Sequence, residues 1–142
     1  MRDDGKTVHL ARAFPGFPAR AETTLADQMA VACLRDTTCP RGDLPDRVNA
    51  AYFTAYQTAR TASRFLAIDQ TLAEIEARFE DVQIFDRPAY MCDETTERCL
   101  AMTSSWAKTL YDRGHHTLAG AQAFADRATD LGLIEPLLAL MP

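Results

Sequence analysis

The sequence predicts an all-α fold: a single bundle of five or six helices behind an extended N-terminal arm. Three observations carry that expectation. Apolar residues recur at alternating spacings of four and three through the middle of the chain, which places them on one helical face. The composition, 47% hydrophobic and 25% charged over 142 residues, is that of one globular domain with a real core. The six glycines fall mostly between the periodic segments, as punctuation. The boundaries read as an arm over 1–20 and one helical domain over 21–142.

The arm is irregular. Thr7-Val8-His9-Leu10 has room for one short strand, and Phe14-Pro15-Gly16-Phe17-Pro18 is excluded from a helix interior by its prolines. Thr23-Thr24 is a candidate N-cap for a first helix, in which Leu25, Met29, Ala32 and Cys33 recur to about Arg35. Asp36 to Leu44, with Pro40 and Gly42, reads as a loop. Asp43 and Pro45 then suit a helix start.

The clearest signal follows. Val48, Tyr52, Ala55, Ala59, Ala62 and Leu66 form one seam, a central rod whose small alanines invite a neighbouring helix to within about 8 Å. Ile68, Leu72, Ile75 and Phe79 continue the rhythm, with a break expected near Asp69 and Thr71-x-x-Glu74 as a capping box. Val82 to Phe85 is extended. A further helix is expected from about Asp93 to Arg113, burying Cys99, Met102, Trp106 and Leu110 and ending at Gly114. Leu118, Ala121, Phe124, Ala128 and Leu131 mark the next helix, closed by Gly132. Pro136 opens a short last one, Leu137 to Met141.

Four cysteines form two local pairs, Cys33/Cys39 and Cys92/Cys99. Zinc is disfavoured, because structural zinc sites draw their thiolates from closer pairs. The cysteines are therefore either disulfides or four buried thiols, and of the two pairs Cys92/Cys99 is the harder to bridge. The compartment follows from that choice: cytoplasmic by default, since no signal-peptide core or membrane-length apolar run is seen, and periplasmic or secreted if the pairs are oxidised.

Motifs for chemistry are scarce. There is no G-x-S-x-G, Walker loop, G-x-G-x-x-G or H-E-x-x-H. His115 and His116 read as solvated turn residues, and no catalytic residue, metal ligand or cofactor site is assigned. Fifteen basic against twenty acidic residues leave a net charge of −5, with no general pull toward nucleic acid. Residues 69–98 alone carry nine acidic and three basic side chains, a local charge of −6. Glu74, Glu76, Glu80, Asp81, Asp86, Glu94 and Glu97 therefore form a candidate partner surface.

The functional expectation is a non-enzymatic protein acting by binding another protein, as an adaptor, inhibitor, immunity or anti-defence factor. The partner is one with a basic surface or a second copy of the chain. Two alternatives stand beside it. One is a small-ligand or metal-binding helical domain using the cysteines, Tyr52 and Trp106. The other is a helical enzyme whose site is assembled from distant residues.

Overall fold

A computed structural model describes residues 7–17, 19–20 and 23–138. The element order is β1 (Val8–Ala11), β2 (Ala19–Arg20), β3 (Thr23–Thr24), α1 (Leu25–Arg35), α2 (Leu44–Arg60), α3 (Ser63–Arg78), β4 (Val82–Phe85), α4 (Arg87–Met91), β5 (Cys92–Asp93), β6 (Arg98–Cys99), α5 (Leu118–Asp130) and α6 (Glu135–Leu138). The fold is mixed α/β, which corrects the all-α expectation. β1 and β4 pair in parallel, Val8 opposite Val82 through Ala11 opposite Phe85. Parallel strands need a long crossover, and α1, α2 and α3 supply it. β2/β3 and β5/β6 are short antiparallel pairs. Of the expected arm, residues 1–6 and 18 lie outside the described residues, as do 139–141 of the expected last helix.

The first helix is capped as its sequence dictates. Thr24 accepts the Asp27 N–H while the Asp27 carboxylate accepts from the Thr24 backbone, a capping box. α2 begins with Pro45 in its first turn and buries Leu44, Val48, Tyr52, Phe53 and Tyr56. It packs chiefly on β6 and α1. The seam does not run on as one rod: α2 stops at Arg60, well before Asp69. Ala62 is exposed and Leu66 is 54% exposed. α3 buries no residue, and Thr71 bonds the Ala67 carbonyl inside the helix instead of capping a new one. Three Thr hydroxyls, on Thr54, Thr58 and Thr61, bond back to carbonyls of the preceding turn. Such bonds weaken and bend a helix, and the break follows directly.

The expected helix over 93–113 is the larger error. Cys99, Met102 and Leu110 are buried, as their spacing demanded, but from short extended pieces. Met102 bridges Lys108 and Leu110 bridges His116, both antiparallel. Trp106 is 38% exposed with positive φ. Turn-forming Asp, Thr and Ser side chains at 93–96 and 103–105 compete with helical hydrogen bonds, and they prevail here. Gly114 accordingly sits in a turn rather than at a helix end.

Both cysteine pairs are disulfides, Cys33–Cys39 and Cys92–Cys99. The second forms because the cysteines face each other across the β5/β6 register, a proximity that two helical positions seven apart, about 10 Å along the axis, do not give. Gly132 closes α5 with φ near 67°, and no helix of the described residues is long and apolar enough to cross a membrane.

Candidate functional site

The irregular segment 101–117 folds back on itself twice and is tied to both long neighbours. Asn49 of α2 donates to the Met102 carbonyl and accepts from the Ala101 and Met102 N–H groups. Lys108 reaches Asp27 of α1 at 2.8 Å. Burial alone would raise the Asp27 carboxyl, but hydrogen bonds from Lys108 and Thr24 hold it below its ordinary value.

From this base a hairpin projects. Tyr111 donates its N–H to the His115 carbonyl at 2.7 Å, and Thr117 donates to Thr109. At the tip, Asp112 Oδ1 accepts the backbone N–H groups of Gly114 and His115, both at 2.9 Å. Its second oxygen stands 2.7 Å from His115 Nδ1. The bonds from the Gly114 and His115 N–H groups, with that from the imidazole, hold the Asp112 carboxyl far below the usual carboxylate range. His115 is 82% exposed. Among the described residues no group bonds its other ring nitrogen, Nε2.

The C-terminal side of the hairpin is clamped. Thr117 caps α5 by accepting the Gly120 N–H, and its own hydroxyl bonds the Lys108 carbonyl. A β-carbon on Gly120 would overlap the Thr109 carbonyl, so only glycine lets the first turn of α5 lie against the hairpin. His116 points elsewhere, its ring 4.8 Å from Phe124. Burial first, then the charges of Arg87 and His115, lower its pKa.

In the neutral imidazole, an ionised carboxylate on Nδ1 favours the tautomer with its proton at that nitrogen and leaves Nε2 to accept one, the arrangement a general base with its orienting group requires. The sequence reading passed over this pair. The signal was Asp112-x-x-His115 with Gly114 between: an Asp taking the N–H groups two and three residues ahead makes an Asx turn, which brings the i+3 side chain to its free oxygen. Among the described residues no hydroxyl or thiol contacts His115, and all four cysteines are oxidised. Nor, among the described residues, do any three His, Cys, Asp or Glu side chains gather as a metal site would.

The acidic set is dispersed. Glu74, Glu76, Glu80 and Asp81 are exposed on α3 and just beyond it. Glu76 accepts the Ile84 N–H. Asp86 pairs with Arg12 at 2.9 Å, Glu94 with Arg60, and neighbouring Asp93 with Arg127 at 3.3 Å. These three ion pairs line a cleft of about 410 Å³. Glu97 sits at the β5/β6 tip with positive φ.

Against known proteins, one family model matches, described as the SGNH domain (fused to AT3 domains), over residues 1–130. That span includes the arm, the hairpin and all of α5. No curated protein and no solved structure matches the chain.

Proposed function

Because the chain belongs to the SGNH domain family, we propose that it is a hydrolase-type domain in which Asp112 and His115 are the acid–base pair for cleavage of an acyl ester. The observation that carries the reading is the 2.7 Å contact between Asp112 and His115 Nδ1 on a hairpin tip that leaves Nε2 open. In this reading Nε2 takes the proton of a hydroxyl nucleophile, water or an alcohol side chain docked on its outward face, as that oxygen attacks the acyl carbon. It then returns the proton to the departing alcohol. Asp112 stays ionised and stabilises the imidazolium that forms between the two transfers. The two disulfides support an oxidising compartment, periplasmic or extracellular.

The test is hydrolysis of p-nitrophenyl acetate by the folded chain and by His115→Ala and His116→Ala. His115→Ala is expected to lose about 10²–10⁴-fold in rate and His116→Ala to remain within about threefold, since only His115 holds the carboxylate. Equal rates for wild type and His115→Ala would discard the assignment.

Binding of a basic protein partner is a second and separate proposal. It is favoured by Glu74, Glu80 and Asp81, exposed neighbours that enter no ion pair among the described residues. Charge reversal at Glu80 and Asp81 should weaken any such complex in an affinity titration. Unchanged affinity would exclude the electrostatic version.

A further inference from the structure

Among the described residues the arm meets the Asp112–His115 turn at Gly16 and Phe17, a contact to which the acid–base chemistry assigns no role. The Arg113 carbonyl, between the two members of the pair, lies against Gly16 so closely that a β-carbon there would stand 2.9 Å from the oxygen. The next residue, Phe17, donates its backbone N–H to the same oxygen at 3.1 Å. One carbonyl in the middle of the turn is thus both touched and hydrogen-bonded by the arm.

The arm is the firmer of the two partners. Phe17 is 2% exposed and meets Tyr52 of α2 edge-on at 4.6 Å and Phe14 at 4.8 Å. Phe14 in turn stacks on Tyr56 at 5.5 Å with the rings 6° from parallel. Aromatic pairs of this kind fix geometry as well as burying area. On the turn, by contrast, Arg113, Gly114 and His115 are exposed, and a β-carbon on Gly114 would meet nothing within 4 Å. When arm and turn are forced apart, the turn moves.

We infer that Gly16 is a positioning residue for the Asp112–His115 pair: its missing side chain lets the α2-anchored arm close on the Arg113 carbonyl and hold the turn in the register that joins carboxylate to imidazole. The inference rests on reading that pair as the acid–base group, but the contact itself is testable without any substrate. Glycine is needed here for close approach rather than for backbone conformation, as no positive φ occurs at this position. A single added methyl group is therefore a clean probe.

The experiment is imidazole ¹H–¹⁵N correlation spectroscopy of wild type, Gly16→Ala and Gly42→Ala. The last adds the same methyl where nothing lies within 4 Å. In Gly16→Ala the His115 ring signals should shift away from the Nδ1-protonated pattern. The Phe17 amide should exchange about tenfold faster, as expected when one ordinary hydrogen bond is weakened. Gly42→Ala should match wild type in both. A folded Gly16→Ala whose His115 ring signals coincide with wild type overturns the inference. If Gly16→Ala does not fold, Phe17→Leu loosens the same anchor while keeping the backbone, and unchanged His115 ring signals there overturn it equally. Failure of wild type to hydrolyse an ester, with the His115 ring still shifted in Gly16→Ala, would remove the proposed function and leave the positioning contact supported.

Discussion

Two hairpin tips in this chain are built by the same turn chemistry and end in different hands. Asp93 Oδ1 accepts the N–H groups of Thr95 and Thr96 at 2.8 and 3.1 Å. Asp112 Oδ1 does the same with Gly114 and His115. In both, backbone donors lower the carboxyl pKa: those of Thr96, then Thr95, for Asp93, and those of Gly114, then His115, for Asp112. The second oxygens differ. That of Asp93 meets Arg127, and the Cys92–Cys99 disulfide closes the loop beneath it. That of Asp112 meets an exposed imidazole, and no covalent link closes its hairpin. An arginine stays protonated throughout and simply fixes the tip, whereas an imidazole can accept and return a proton. One turn is tied down by arginine and disulfide, and the other carries the exposed pair proposed for acid–base chemistry.

The comparison breaks most visibly in a paired substitution. Asp112→Asn should lower ester hydrolysis by about 10²–10⁴-fold, because the amide no longer fixes the tautomer or supports the imidazolium. Asp93→Asn should change the rate less than about twofold, as its carboxylate holds only a partly exposed arginine. Initial-rate measurements on both variants decide it, and equal losses would show that the tips differ less than their partners suggest. Next in size is Gly120→Ala. The new methyl group would overlap the Thr109 backbone, and relief by moving α5 or the hairpin should cost about 1–3 kcal/mol, read as a lower denaturation midpoint with loss of hydrolysis. Opening the other tip is comparable. Cys92→Ser with Cys99→Ser removes a short cross-link and should cost about 2 kcal/mol by the chain-entropy estimate, visible in a urea melt. The His115 signals should stay in place, because Asn49 and Lys108 tie the second hairpin to α2 and α1 independently.

Much of the first half of this fold is legible in the residues. Thr24 caps α1, Pro45 opens α2, and Val48 and Tyr52 face the core, because local spacing and capping chemistry agree there with the tertiary packing. Where they disagree, the pattern misleads. Cys99, Met102, Trp106 and Leu110 satisfy a helical period, yet three of the four are buried by strands that turn too often for a helix to form. The parallel β1/β4 pairing joins residues 74 positions apart, and nothing local in either tetrapeptide names the other as its partner. The Asp112–His115 contact is hidden for a different reason. Two adjacent histidines after a glycine look like a solvated turn, and His115 is indeed solvated. What matters is the Asp three residues earlier, legible only when the turn is read as a hydrogen-bonded object and not as a gap between helices. The Gly16 contact lies nearly a hundred residues from its partner in the chain, beyond any local signal.

The smallest effect separates the two adjacent histidines by pH. A native pKa below the ordinary value means that the unfolded chain binds the proton more readily, so stability falls as the solution is acidified. For His116 the loss should begin below about pH 6.5, as burial against Phe124 and the charges of Arg87 and His115 resist protonation of its ring. For Asp112 and Asp93 it should begin only below about pH 4, because backbone donors favour their ionised forms. His116→Phe keeps an aromatic ring beside Phe124 and removes the upper window alone, while Asp112→Asn removes part of the lower. Urea midpoints measured from about pH 7 to 5 should therefore be flatter in His116→Phe than in wild type, with Asp112→Asn following wild type over that range. A wild-type midpoint that rises on acidification across the upper window would mean that His116 gains a partner in the fold, and its contrast with His115, whose ring meets a carboxylate and not Phe124, would have to be redrawn.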